Sequence, residues 1–115
     1  MLRPVEKVGR WCDSDDGGRT CFAYTSYFAD GRVVGNGRFA NDNKRFEGEG
    51  TWFHFMGKSC LDVNYLVYGN DDEMGEDYRA FFCNRIISLE GDVFVYETSD
   101  GEPAAMFRVS RRAGK

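Results

Sequence analysis

The side chains that could do chemistry are few, and their spacing says what they could do. His54 is the sole histidine, so any histidine-dependent nucleophilic site would have to be built on it, with a thiol or serine brought within hydrogen-bond reach. No sequence signature places such a partner beside it, and a lone histidine in an aromatic strand reads as a structural or exposed residue. Four cysteines fall as Cys12 and Cys21 around one turn signal and Cys60 and Cys83 around another. Counted from the turn centres, residues whose numbers sum to about 33 and about 143 face each other, which opposes both pairs and puts all four thiols on the outer face. Two cross-strand disulfides then need only α-carbons within about 7 Å, and would imply an oxidising compartment; four reduced thiols in a cytosolic protein are the alternative. No Cys-x-x-Cys occurs and the histidine is distant in sequence, so no zinc site is expected.

Glycine-rich and acidic stretches come next. Gly35-Asn36-Gly37 and Gly48-Glu49-Gly50 do not open a helix, so they lack the dipole of a phosphate cradle and read as bulges or close strand approaches. Asp13-Ser14-Asp15-Asp16-Gly17-Gly18 begins like a calcium loop. Its fifth position is glycine and its twelfth is Tyr24, so the EF-hand reading fails. No cofactor is called for by any motif. Net charge is -4 and the pI about 5.0, which argues against a nucleic-acid partner, since phosphate binding needs a basic face.

These residues need elements to position them. The chain has 115 residues, 14 glycines, 2 prolines and 16% aromatics, a composition suited to one domain of pleated, half-buried surfaces spanning residues 1–115. Turn signals recur at Asp13–Gly18, Asp30-Gly31, Asn41–Asn43, Met56–Lys58, Gly69–Asp77, Glu90–Asp92 and Asp100-Gly101. They divide the chain into eight segments of strand length, at 8–12, 20–29, 32–39, 46–55, 59–68, 78–89, 93–98 and 104–110. An antiparallel meander of eight short strands avoids open edges by closing, so the predicted fold is all-β, an eight-stranded antiparallel up-and-down barrel. The competitor is α+β with a helix near 76–89, where Tyr78, Phe81, Phe82, Ile86 and Leu89 keep helical spacing.

Alternation assigns faces. Phe22, Tyr24, Ser26 and Phe28 share one face of the second segment, and Leu61, Val63, Tyr65 and Val67 one face of the fifth. In the sixth, Ala80, Phe82, Asn84 and Ile86 turn inward. The fourth is ambiguous, because Glu47 and Glu49 mark the odd face as outward while Phe53 and Phe55 sit on it too; a bulge at Gly48 or Gly50 would reconcile them. The lumen expected from these faces is lined by Phe22, Tyr24, Ser26, Trp52, His54, Tyr65, Phe82 and Asn84. Aromatics would supply contact area, and the hydroxyls, imidazole and amide would fix orientation.

Alternate loops of such a barrel share one end. The turns 13–18, 41–45, 69–77 and 99–102 hold eleven of the 19 acidic residues against Lys44 and Arg45, so one mouth is strongly acidic. Asp15, Asp16, Asp71, Asp72 and Glu73 would be its partner-facing groups. The leading expectation is a non-catalytic barrel that binds a small hydrophobic or amphipathic, and through the acidic rim cationic, molecule. The alternative is a protein-binding or inhibitor module that docks a basic protein through that mouth. No run of 18 apolar residues occurs, so no helical membrane span is expected. The start Met1–Lys7 lacks the apolar run of a signal peptide, so the chain as written reads as cytoplasmic, or as periplasmic or secreted if a leader has been removed.

Gly9-Arg10-Trp11 at the opening of the first strand, with eight strands and Gly-rich tight turns after it, resembles the lipocalin-like (calycin) superfamily. Tyr27–Arg32 and Gly48–Trp52 are similar to hairpins of small bacterial lipocalin-like domains. The resemblance implies that Trp11 closes the barrel floor and that a late arginine, Arg108 or Arg111, packs over it.

Overall fold

The computed structural model describes residues 4–39, 43–69 and 75–112. A 3-10 turn, Pro4–Lys7, precedes eight strands: β1 Gly9–Asp13, β2 Ala23–Tyr27, β3 Arg32–Arg38, β4 Arg45–Phe55, β5 Lys58–Val67, β6 Glu76–Glu90, β7 Val93–Glu97 and β8 Pro103–Ser110. Each pairs antiparallel with its neighbour in sequence, and β1 pairs with β8, so the sheet closes into a barrel. Closure leaves no edge strand among the described residues. None of their helical turns is long and apolar enough to cross a membrane.

The turns work as their residues require. β4 and β5 are joined by Met56-Gly57 alone, both at positive φ (50° and 77°), the two-residue hairpin whose twist matches that of its strands. Residues 76–89 form strand, not helix: β6 is laddered to β5 along Glu76–Arg85 and to β7 beyond it. The apolar residues there lie on both faces. Phe81 is exposed on the outer wall, whereas Phe82 and Ile86 pack against the core. A register shift between Ile86 and Ser88 swaps the inward parity, which is how Leu89 comes to be buried after Ile86.

The expected bulge in β4 is absent, since its ladders to β3 and β5 run without interruption. Gly48 and Gly50 are instead places of close approach. A Cβ at Gly50 would collide with the Asp62 carbonyl oxygen, and one at Gly48 would press on the Tyr65 ring at 3.0 Å. Phe53 and Phe55 do point outward, and Phe53 stacks on Phe81 across the outer wall at 6.3 Å.

Both disulfides form, Cys12–Cys21 and Cys60–Cys83, with α-carbons 5.4 and 4.0 Å apart. Cys60 faces Cys83 in the β5–β6 ladder, in the expected register. Cys21 lies before β2 begins, so its bond spans the turn rather than the ladder. In that ladder Cys12 opposes Tyr24 and Trp11 opposes Thr25, a register three residues from the expected one. An odd shift turns a strand over. Residues directly opposed share a face, so the inward Trp11 brings Thr25, and with it Ala23 and Tyr27, into the barrel.

Candidate ligand-binding lumen

The barrel is plugged at the end where β1 starts. Trp11 is wholly buried there, its Nε1 donating to the Lys7 carbonyl at 2.8 Å. The Arg108 guanidinium lies over the Trp11 ring at 4.6 Å. It donates to the Gly91 carbonyl (2.8 Å), to Asp92 Oδ1 (3.0 Å) and to the Glu6 carbonyl, so one side chain ties the 3-10 turn, the β6–β7 turn and the tryptophan together. Arg111 reaches only Asp92. Arg108 is therefore the arginine that covers Trp11.

The 3-10 turn also inserts Lys7, which is 0% exposed. Its Nζ donates to Ser59 Oγ at 3.1 Å and sits over the Phe94 and Tyr27 rings at 3.7 and 4.1 Å. Two π faces and one hydroxyl replace water incompletely. Burial lowers its pKa to about 7, against an opposing pull from Asp13. Beside it, His54 has both ring nitrogens buried without a hydrogen-bond partner, and its ring meets Trp52 edge-on at 5.5 Å. Burial, with Lys7 adding to it, brings the imidazole down to about 4, so it is neutral at physiological pH.

Above this floor lies a cavity of about 210 Å³. Its wall is largely apolar and rich in aromatic rings: Phe22, Phe39, Phe46, Tyr65, Phe82, Phe94, Tyr96 and the inner side of Tyr27. Phe39 stacks on Phe46 at 4.5 Å, and Tyr65 meets Phe46 edge-on at 5.8 Å, so these rings brace one another. Polar groups come from Asp13, Thr25, Arg38, Ser59 and Asn84. Asp13 Oδ2 accepts from Thr25 Oγ1 at 3.2 Å. Burial raises its carboxyl to about 7, with the Thr25 hydrogen bond and Lys7 acting the other way. Tyr65, half-buried in the wall, is pushed up to about 12 by burial.

Four of the expected lining residues, Phe22, Tyr65, Phe82 and Asn84, meet around this cavity. Trp52 and His54 also turn inward but sit lower, as part of the floor. Tyr24 and Ser26 are on the other face, because the β1–β2 register turned β2 over; Tyr24 carries the Arg10 guanidinium at 4.2 Å. Asp13 was expected at the rim and instead lines the cavity. It is the last residue of β1, on the same face as Trp11, and alternation from Trp11 could have found it. A second recess, beside the β1–β2 and β7–β8 turns, shares Asp13, Phe22 and Tyr96 with the lumen.

Of the expected partner-facing acids, Asp15 and Asp16 are exposed. Asp16 accepts from Ser14 Oγ (2.6 Å) and from the Thr20 hydroxyl (2.5 Å) and amide (2.9 Å), which hold its carboxyl at about 2 and close the turn on itself. Asp71, Asp72 and Glu73 lie outside the described residues. Among the described residues no cluster of three or more His, Cys, Asp or Glu side chains could hold a metal. The architecture is an eight-stranded antiparallel closed barrel, and compared with known proteins the chain matches no family model, no curated protein and no solved structure.

Proposed function

We propose that this protein binds and holds a small hydrophobic or amphipathic molecule, one with a cationic part included, inside its barrel. The observation that carries the reading is the cavity of about 210 Å³ whose wall is mostly apolar, rich in aromatic rings, and whose few polar groups come from fixed strand positions. Contact area would come from the Phe22, Tyr65 and Phe82 rings, and orientation from Asn84 and its polar neighbours. Gly9-x-Trp11 beneath Arg108 supports kinship with the calycins, and two closed disulfides support an oxidising compartment as its setting.

The test is fluorobenzene binding followed by fluorine NMR. A shifted or broadened resonance that saturates is expected for the intact protein. Tyr65→Ala removes contact area and Val63→Phe fills the lumen from within, so each is expected to weaken binding about tenfold or more. Binding that survives both substitutions in folded variants refutes the lumen as the site.

A further inference from the structure

The Asp13 carboxyl is a polar group that a purely apolar occupant would leave unanswered. It lies in the cavity wall, and among the described residues its one side-chain donor is Thr25. An ionised carboxylate has room for about four hydrogen bonds. The nearby cations direct their hydrogen bonds elsewhere: Lys7, which acts on Asp13 only through space, donates to Ser59 and rests on two rings, and Arg38 donates to the Asn43 carbonyl. Around Asp13 stand Thr25 and Tyr27 of β2, Arg38 of β3, Tyr65 of β5, Tyr96 of β7 and Lys7 of the 3-10 turn.

The cavity's size narrows the occupant. An apolar cavity of about 150 Å³ holds one benzene, so 210 Å³ holds, in proportion, about eight non-hydrogen atoms, one ring and a short substituent. Aromatic faces attract cations as well as apolar groups. Resting on the lumen reading above, we infer that the barrel selects a single-ring arylalkyl amine, its ammonium donating to Asp13 and its ring lying among Phe22, Tyr65 and Phe82. The recess that shares Asp13 and Phe22 with the lumen places the carboxylate where such an ammonium would meet it on entry.

Amine binding needs the ionised carboxylate, and burial lifts the Asp13 carboxyl to about 7 in the empty barrel. Below that pH the amine must displace a proton, so its affinity rises with pH and levels off about one pH unit above it. A neutral ligand of the same shape shows no such rise from Asp13.

The experiment compares benzylamine, benzyl alcohol and benzoate by calorimetry and NMR on the intact, disulfide-bonded protein at pH 8 and pH 5.5. Benzylamine is expected to bind about tenfold or more tighter than benzyl alcohol at pH 8, to lose that margin at pH 5.5, and to lose it in Asp13→Asn at both. Benzoate is expected to be weakest at pH 8. The pH-dependent ratio in the unmodified protein serves should Asp13→Asn fail to fold. Benzylamine and benzyl alcohol binding alike at pH 8 overturns the amine proposal and leaves the lumen reading standing. No binding by any of the three, with fluorobenzene also unbound, overturns both.

Discussion

Lys7→Met tests the most unusual feature of the floor, a lysine with its whole side chain inside the barrel. Methionine, one atom shorter, keeps a flexible apolar chain beside Tyr27 and Phe94 but carries no charge and cannot donate to Ser59. In the folded protein burial brings the Lys7 pKa from 10.5 to about 7. Its folded value thus lies below its unfolded value. Between about pH 7 and 10.5 the unfolded chain binds the extra proton, so this group makes stability rise with pH across that window and contributes no further slope below it. One proton corresponds to about 1.4 kcal/mol per pH unit, and the whole shift to roughly 5 kcal/mol. From pH 7 to pH 9 the gain is roughly 2 kcal/mol, since titration near pH 7 is half complete. Urea unfolding at pH 7, 8 and 9, followed by tryptophan fluorescence, is expected to show that gain in the native protein and to lack it in Lys7→Met. At pH 7 the variant is expected to be no less stable than the native protein, since replacing a poorly solvated buried charge by an apolar isostere is commonly neutral or favourable. Asp13 has the opposite sign: its folded value is raised, so it makes stability fall as pH rises from about 4 to 7. The same comparison in an Asp13→Asn background separates the two groups. A stability difference between native protein and Lys7→Met that is constant from pH 7 to 9 refutes the reasoning.

Three further outcomes follow from the wall of the barrel. Replacing Cys60 and Cys83 together by alanine opens a loop closed over 23 residues and is expected to cost roughly 3 kcal/mol in urea unfolding, with the ligand site retained at low denaturant. Gly50→Ala forces a methyl group into the Asp62 carbonyl and is expected to lower stability by about 3 kcal/mol or more, read as a fall of about 10 °C or more in Tm. His54, with its folded value brought down to about 4, is expected to show one neutral-imidazole NMR signal from pH 8 to pH 5. It contributes stability that is lost as pH falls from about 6.5 toward 4, because the unfolded chain takes up the proton first.

The strands were legible because their punctuation is local. Asp-Gly and Met-Gly turns demand backbone conformations that few residues supply, and every one of the eight segments lies within a few residues of its strand. The β5–β6 register was legible for the same reason, as Cys60 and Cys83 anchor a ladder with no bulge across it. The lumen was half legible. Tyr65, Phe82 and Asn84 alternate along long, regular strands. Tyr24 and Ser26 depend on the length of one irregular turn, where a slip of three residues turns the strand over. Asp13 was read from its type alone, as an aspartate of a turn cluster and so of the rim, and nothing in the sequence marked Lys7. What moves them inside is tertiary: Trp11 fixes both, one through its indole hydrogen bond to the Lys7 carbonyl and the other through two-residue alternation. Phe53 and Phe55 show the converse, large apolar residues on the outer wall because alternation with Trp52 and His54 outranks hydrophobicity.

Seven of the barrel's ladders are hairpins, each formed between segments that the chain already holds close. The eighth, β1 with β8, joins residues about a hundred positions apart. Its pairing must overcome the loop-closure entropy of nearly the whole chain, so it is expected to form after the hairpins and to be the first to part. Until it forms, Asp13 and Trp11 face no lumen, since both are carried by β1. Filling the barrel and closing it are then one equilibrium. An occupant is expected to slow hydrogen exchange most at the amides of Trp11, Cys12 and Phe107 along this seam, and least in the β4–β5 hairpin, which stands whether the barrel is shut or open.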